Sequence, residues 1–227
     1  MKNFHAKLTR ITRDSEAIIL MHGLARTSRC MNKAEKWLAA YGYKIINVDY
    51  PSRKHNIETL ALEAIPSALA QCASKDINKI HFLTHSMGGI LLRYYLSIRC
   101  IDKLGRVVML APPNQGSEVV DKLAGWLVFD VVNGSAGLQL GTDKNSIPCT
   151  LGPVNFPTGI IAGDKTVNPL LSQLIPETND GKVSVCRTQV EGMKDFIVMH
   201  YSHTFMMQRV AVLEQVLHFI QQGYFSK

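Results

Sequence analysis

The stretch that decides the fold is Thr84-His85-Ser86-Met87-Gly88-Gly89. It lies between an apolar run typical of a strand (Lys79 to Leu83) and a run typical of a helix (Ile90 to Ile98). A sharp turn between strand and helix pushes a hydroxyl out above a sheet, and small residues after it let the helix start close to the strand. The pattern therefore makes Ser86 a candidate nucleophile, although a short Ser-Met-Gly-Gly stretch also fits a plain strand-to-helix turn.

The rest of the chain alternates short apolar runs with longer amphipathic stretches, the pattern of parallel strands joined by crossover helices. The predicted strands are Ala17 to Met21, Lys44 to Val48, Lys79 to Leu83, Arg106 to Leu110, Thr158 to Ala162 and Asp195 to Met199. The predicted helices are Met31 to Tyr41, Ile57 to Cys72, Met87 to Ile98 and Phe205 to Gln222. The sequence thus predicts an α/β fold with a mostly parallel central sheet of about six strands and helices on both faces.

Composition bounds the size and the partners of the protein. The chain has 227 residues, 46% of them hydrophobic and 19% charged, which suits one well-buried domain. Its net charge of +7 comes from scattered Lys and Arg, without a basic and aromatic stripe, so no nucleic-acid partner is expected. The excess indicates either a solvated surface or weak attraction to anionic lipid headgroups at a membrane surface. No protein partner can be inferred.

The five cysteines are widely spaced, with no Cys-x-x-Cys pair, which argues against a zinc site or a disulfide framework. The segment from Met1 to Arg13 lacks the continuous apolar core of a secretory signal, and no segment has the length of a membrane span. A cytoplasmic protein is expected, or a periplasmic or secreted one if a leader has been removed. No metal or organic cofactor is expected, because the sequence has no His-Glu-x-x-His, P-loop or dinucleotide-binding motif.

A second segment that could contribute to an active site is His22-Gly23-Leu24, directly after the first predicted strand. A glycine there lets the loop bend back over a site at the carboxyl ends of the strands. The backbone N–H of Leu24 could then join that of Met87 in holding a developing oxyanion, as an oxyanion hole. The alternative is that His-Gly simply ends a strand.

A serine hydroxyl needs a base in contact, and the base needs an acid that holds its tautomer. In folds with this kind of turn the chain order is serine, acid, histidine. His203 is the preferred base, because a loop position just before the last helix would let its ring reach Ser86. His200, three residues earlier, is the alternative.

Two aspartates after the fifth predicted strand are candidates for the acid, Asp164 and Asp180. Either could be only a turn former. Asp180 is preferred because Gly181 permits a tight turn that can present the carboxylate from a loop, whereas Asp164 lies closer to its strand and could cap the following turn.

Four segments make the chain resemble the α/β-hydrolases, and within them the minimal, triacylglycerol-lipase-like bacterial lipases and esterases. The segments are Leu20-Met21-His22-Gly23-Leu24, the turn around Ser86, Ala111-Pro112-Pro113-Asn114-Gln115-Gly116-Ser117, and Asn179-Asp180-Gly181-Lys182-Val183 with His203 downstream. The third resembles the Ala-Pro-His-x-Gly-Ser segment of bacterial lipases, and the fourth resembles the segment that holds their triad acid, a second reason to favour Asp180. The sequence departs from the family pattern at Thr84, where the first glycine of the nucleophile elbow usually stands, and at Asn114, which replaces a histidine.

This resemblance implies a serine hydrolase that cleaves small-molecule or lipid carboxylic esters through an acyl-enzyme on Ser86, with His203 and Asp180 completing a Ser-His-Asp triad. Acyl-thioester hydrolysis and lipid acyl transfer by the same triad are alternatives within that chemistry. A catalytically silent binding protein on the same fold is the alternative of another class.

Between Ser117 and Pro157 the alternation of strands and helices breaks down, and an apolar segment leads into a Gly-rich stretch. An insertion at this point would lie over the site, so a small cap is predicted at about residues 117–157. Its apolar side chains, among them Trp126 and Phe129, would line an acyl-chain pocket or contact a lipid surface. The alternative is a pair of ordinary core helices at the sheet edge.

Overall fold

The computed structural model describes residues 15–73, 76–123, 134–167, 172 and 174–226 of the chain. Within these residues, one sheet is formed by β1 (Glu16–Met21), β2 (Lys44–Val48), β3 (Lys79–His85), β4 (Leu104–Leu110), β5 (Thr158–Gly163) and β6 (Asp195–Met199). The helices are α1 (Asn32–Ala39), α2 (Ile57–Gln71), α3 (Met87–Ile98), α4 (Glu118–Leu123), α5 (Ile147–Thr150), α6 (Val185–Thr188) and α7 (Val210–Gln222). Short 3-10 helices lie at Ser28–Met31 and Met206–Gln208.

All neighbouring strands are parallel, in the order β2-β1-β3-β4-β5-β6. The predicted α/β fold with a parallel six-stranded sheet is confirmed. Each predicted strand matches an observed one, and β3 extends two residues beyond its prediction, through His85 to the edge of the turn at Ser86.

The strand order brings the carboxyl ends of β1 and β3 side by side where the chain changes direction. From β1 the chain runs through α1 to β2 on one side, and from β3 it runs through α3 to β4 on the other. Met21, the last residue of β1, pairs with Thr84, so β3 continues only one residue further, to His85. The crevice at such a point is where open parallel sheets bind ligands.

The core lies in two layers, one on each face of the sheet. Successive side chains of β1 alternate between them: Ile19 and Met21 belong to the layer with α2 and α3, while Ile18 and Leu20 belong to the layer with α1 and α7. All four are fully buried, which explains why the strand is a continuous apolar run. Truncating one of them to alanine would cost about 2–5 kcal/mol of folding free energy.

The last helix begins later than the periodicity predicts. Helix α7 begins at Val210 rather than at Phe205, and Met206–Gln208 form a separate 3-10 turn. Between them Arg209 has extended backbone angles (φ −93°, ψ 125°), which interrupt the helix. Met206 and Met207 are nevertheless buried in the same core layer as α7, so the apolar pattern continues across the break.

The predicted cap at about residues 117–157 is described only in part, and Trp126 and Phe129 lie outside the described residues. Of the remainder, α4 buries Val119 and Val120, and α5 is a short helix further along. The organisation of the chain as one domain with a small cap stays a prediction. No helix among the described residues is long and apolar enough to cross a bilayer.

Candidate active site

Ser86 occupies a strained turn between β3 and α3. Its backbone has φ 53° and ψ −125°, a conformation that costs a non-glycine residue about 1–3 kcal/mol and persists only when its surroundings impose it. Here the Ser86 N–H donates to the Leu110 carbonyl oxygen (2.8 Å), and the Ser86 carbonyl accepts from the Gly89 N–H (3.0 Å). A Cβ on Gly88 would lie 2.8 Å from the carbonyl oxygens of both Met21 and His22, so only glycine lets α3 start against β1.

Thr84 is accommodated in this turn by Gly89. The Thr84 side chain is fully buried, and a Cβ built on Gly89 would lie 3.2 Å from its Oγ1. The space that the usual first glycine would leave is thus provided by a glycine on the facing helix. The departure at Thr84 does not prevent a sharp turn at Ser86.

A chain of hydrogen bonds joins Ser86, His203 and Asp180. The Ser86 Oγ lies 3.0 Å from His203 Nε2, and His203 Nδ1 lies 2.7 Å from Asp180 Oδ2. With the proton of the ring on Nδ1, that nitrogen donates to the carboxylate and Nε2 accepts from the serine hydroxyl. The side chains of His203 and Asp180 are 5% and 0% exposed, so the ion pair that forms when the ring takes a proton would be held away from water.

The acid is held by its own turn. Asp180 Oδ1 accepts from the backbone N–H groups of Lys182 (3.0 Å) and Val183 (2.9 Å), which leaves Oδ2 for the imidazole. Gly181 adopts φ 97°, and its N–H donates to the Asn179 side chain (2.9 Å). The Asn-Asp-Gly sequence thus forms a tight turn that fixes the direction of the carboxylate.

The alternative base and acid, His200 and Asp164, lie outside this chain of hydrogen bonds and contact each other. His200 Nδ1 is 2.9 Å from Asp164 Oδ1. The two side chains are 73% and 31% exposed.

The loop after β1 packs directly on the serine turn. A Cβ on Gly23 would lie 3.0 Å from the Ser86 Cβ and 2.9 Å from His85 Nδ1. Within the described residues, the backbone N–H groups of Leu24 and Met87 donate no hydrogen bond. Leu24 follows Gly23 and Met87 follows Ser86, so both N–H groups belong to the two segments that pack together here. Their role as an oxyanion hole stays a prediction.

His22 and Tyr50 anchor this loop, and sequence reasoning missed Tyr50. The two rings stack with their centroids 4.0 Å apart, and the Tyr50 hydroxyl donates to the His22 carbonyl oxygen. Burial lowers the pKa of His22, which keeps the ring neutral, and its Nδ1 donates to the Gly23 carbonyl (2.8 Å). The loop therefore holds its shape through contacts that do not use Leu24.

His85, directly before Ser86, is a further residue that sequence reasoning missed. Its Nε2 donates to the backbone carbonyl of His203 (2.9 Å), and the two rings lie 4.9 Å apart. Burial lowers the pKa of His85 well below its ordinary value, with the neighbouring His203 adding to the effect, so the ring is neutral. The strand that ends just before Ser86 thus also holds the loop that carries His203. The signal in the sequence is its position, directly before Ser86.

Asn114 holds the loop after β4 together. It accepts two hydrogen bonds from Arg93 Nη1, at its carbonyl oxygen (2.9 Å) and at Oδ1 (3.1 Å), and its Nδ2 donates to the Thr188 carbonyl (2.7 Å). Burial lowers the pKa of Arg93 to about 10. Asn114 therefore has a structural role between α3 and α6.

A cavity of about 310 Å³ opens beside Ser86 and His203. Most of its lining is apolar and comes from the loops after β1 and β4, from α4, from the segment before α5 and from the turn around Asp180. These residues are Leu24, Pro113, Val119, Val120, Leu123, Leu140 and Val183. Two cationic side chains, Arg26 and Lys182, complete the wall. In the described part of the chain, no three His, Cys, Asp or Glu side chains are grouped so as to hold a metal ion.

Comparison with solved structures identifies the fold. The chain is similar to phospholipase PlaB from Legionella pneumophila (TM-score 0.69, 17% identity, 91% of this chain and 57% of that one). It is also similar to the Bacillus licheniformis lipase BlEst2, in its propeptide form (TM-score 0.69, 16% identity) and in its mature form (TM-score 0.64, 17% identity). It covers half of the propeptide form and 91% of the mature form. The chain therefore has the α/β-hydrolase fold of these bacterial lipases. No protein-family model and no curated protein matches its sequence.

Proposed function

We propose that this chain is a serine hydrolase that cleaves carboxylic esters with an apolar acyl part. One observation carries the proposal: Ser86 Oγ, His203 and Asp180 form a continuous chain of hydrogen bonds of 3.0 Å and 2.7 Å beside an apolar cavity. If His203 were only a hydrogen-bonded residue of the core, nothing would require a serine in a strained backbone conformation at its Nε2. A serine that contacts a histidine, which in turn contacts a carboxylate, is the arrangement that cleaves esters by nucleophilic attack.

In this mechanism Ser86 attacks the ester carbonyl while His203 Nε2 takes the hydroxyl proton. Asp180 keeps the other ring proton on Nδ1 and stabilises the imidazolium that forms. His203 then gives its proton to the leaving alcohol, and an acyl-enzyme remains on Ser86. Water, activated by the same imidazole, releases the acid and restores the serine.

The negative charge that develops on the carbonyl oxygen is held by the N–H groups of Leu24 and Met87. Both donors are free within the described residues, so they do not have to break a hydrogen bond in the transition state. Loss of one such donor costs about 10²–10³ in rate in serine hydrolases. The close approach of Gly23 to Ser86 supports the choice of Leu24 as one of the two donors.

The apolar wall of the cavity would receive the acyl chain, and the predicted cap at about residues 117–157 would supply part of that wall through α4. A small-molecule or lipid ester is therefore the proposed substrate. The neighbours by structure include two proteins that are named for cleaving lipid esters, a lipase and a phospholipase, which is consistent with this choice.

A fluorophosphonate probe tests the proposal directly. We expect the native protein to be labelled and Ser86→Ala to lose all labelling, because the probe reacts only with an activated serine. Ser97→Ala is the matched control, since Ser97 lies on the exposed face of α3, and it should label like the native protein. Folded native protein that takes no label would contradict the proposed function. A panel of p-nitrophenyl esters of increasing acyl length would then define the substrate range.

A further inference from the structure

The cavity beside Ser86 has an apolar wall and two cations, Arg26 and Lys182, and the mechanism proposed above uses neither cation. Arg26 follows the loop after β1, and Lys182 lies in the turn that fixes Asp180. They thus come from two different connections and meet at the same opening.

Arg26 and Lys182 line the same cavity as Ser86 and His85, so their charges act on one another and on the serine turn. Burial lowers the pKa of His85, and both Lys182 and Arg26 lower it further through their charge. Lys182 is exposed to solvent, and partial desolvation at the cavity wall lowers the pKa of its ammonium group, with repulsion from Arg26 adding to the effect. Holding two like charges together is unfavourable unless an anion joins them.

Neither cation has an acidic partner among the described residues. The ion pairs there involve other basic groups, such as Arg187 with Glu118 and His203 with Asp180. Asp180 is the acid nearest in sequence to Lys182, but both of its oxygens are engaged, Oδ2 by His203 and Oδ1 by two backbone N–H groups. The opening of the cavity therefore has a net positive charge that no acidic side chain of the described residues neutralises.

The position of Lys182 is fixed by its backbone. Its N–H donates to Asp180 Oδ1 (3.0 Å), and its carbonyl accepts from Ser117 Oγ (2.8 Å). The Lys182 side chain therefore extends from an ordered turn. The same turn orients the Asp180 carboxylate. A guanidinium and an ammonium together suit a phosphate, which offers several acceptor oxygens in different directions.

We propose that Arg26 and Lys182 form a phosphate subsite beside Ser86, so that the preferred substrates are carboxylic esters that carry a phosphate near the scissile carbonyl, as glycerophospholipids do. This inference rests on the proposed function, since it assigns the substrate class of the same site. The acyl chain occupies the apolar wall while the phosphate meets the two cations at the opening.

Two matched substrates test the subsite: 1,2-dihexanoylglycerol and its 3-phosphate, each kept in monomeric solution, with release of hexanoate measured. We expect kcat/KM for the phosphate ester to be at least about tenfold higher in the native protein. Arg26→Gln with Lys182→Met should lower that value about tenfold, mainly through KM, and leave the diglyceride within about twofold. Raising the salt concentration should weaken the preference, because it screens exposed charges.

The matched control is Arg29→Gln with Lys33→Met, which removes the same amount of charge from exposed positions outside the cavity. It should leave both substrates unchanged. The subsite is overturned if the native protein treats the two esters alike, if the cavity variant loses both equally, or if the control variant loses as much as the cavity variant does.

Binding of n-octyl phosphate, measured by calorimetry against n-octanol, separates this inference from the proposed function. If neither ester is hydrolysed but octyl phosphate binds and the Arg26→Gln, Lys182→Met variant loses that binding, the hydrolase proposal fails and the anion site stands. If p-nitrophenyl hexanoate is hydrolysed but octyl phosphate binds no better than octanol, the hydrolase proposal stands and the anion site fails.

Discussion

Two Asp–His pairs lie on the connections that follow β5 and β6, and they differ in their surroundings rather than in their contact distance. Asp164 and His200 are 2.9 Å apart and Asp180 and His203 are 2.7 Å apart. The imidazole of the first pair is 73% exposed and that of the second is 5% exposed. Only the second ring has Ser86 at its other nitrogen.

A carboxylate-imidazole contact is therefore weak support for a catalytic role. In water such a pair contributes about 0–1 kcal/mol, because solvent screens both charges. When the pair is buried and the carboxylate is tied to backbone N–H groups, the direction of the ring is fixed and its positive charge is stabilised without rearrangement.

The largest difference is expected between His203→Gln and His200→Gln. Removing the His203 ring takes away the base for Ser86, so we expect kcat/KM for a p-nitrophenyl ester to fall about 10⁴-fold or more. His200→Gln removes only an exposed pair and should change kcat/KM by less than about twofold. Circular dichroism would verify that both variants fold. Equal losses in the two variants would remove the distinction between the pairs.

A smaller difference is expected between Asp180→Asn and Asp164→Asn. An asparagine at position 180 can still accept the N–H groups of Lys182 and Val183, but its amide cannot hold the His203 proton on Nδ1, so we expect kcat to fall about 10³–10⁴-fold. Asp164→Asn should leave kcat within about twofold. Steady-state kinetics on the same ester would measure both. If Asp164→Asn abolished turnover and Asp180→Asn spared it, the assignment of the acid would be wrong.

The smallest effect concerns stability and a third pair, Glu16 and His81, whose imidazole is 1% exposed. Burial lowers the pKa of His81 to about 4, below its ordinary value of 6.5. As the pH falls, the unfolded chain therefore protonates His81 at a higher pH than the folded protein does. The contribution of the neutral, buried ring to the free energy of unfolding is complete above pH 6.5 and is lost as the pH falls toward 4. The loss amounts to about 3 kcal/mol.

Urea unfolding at pH 7 and at pH 4.5 would measure this effect. The drop in the free energy of unfolding between the two pH values should be smaller in His81→Gln than in the native protein. In His200→Gln the drop should stay as it is in the native protein, since that ring is exposed. A drop of equal size in all three proteins would show that the burial of His81 does not control acid stability.

Strand periodicity predicted the sheet well, because a strand buried on both faces must be apolar throughout, as β1 is. It predicted the start of α7 poorly, because Met206 and Met207 stay buried across the break at Arg209. Burial and helical geometry are separate properties, and the pattern of apolar residues reports only the first.

For the candidate site, the sequence predicted Ser86, His203 and Asp180 from motif order, and these three residues lie in one chain of hydrogen bonds. Their catalytic roles stay predictions. The order of motifs could not predict His85, since its partner is a backbone carbonyl 118 positions away in the chain. Nor could it predict that Gly89 makes room for Thr84, because that contact depends on how α3 packs against β3.

The hydrogen bond from His85 to the His203 carbonyl has a consequence for the second half of the proposed reaction. Once Ser86 Oγ carries an acyl group, it has no proton to donate, and its own link to the imidazole is gone. The adjacent residue still holds the loop of His203, and Asp180 still holds the ring. In the proposed reaction, His203 therefore keeps the position in which it can activate water throughout the lifetime of the acyl-enzyme. Its position does not depend on a hydrogen bond to Ser86 Oγ.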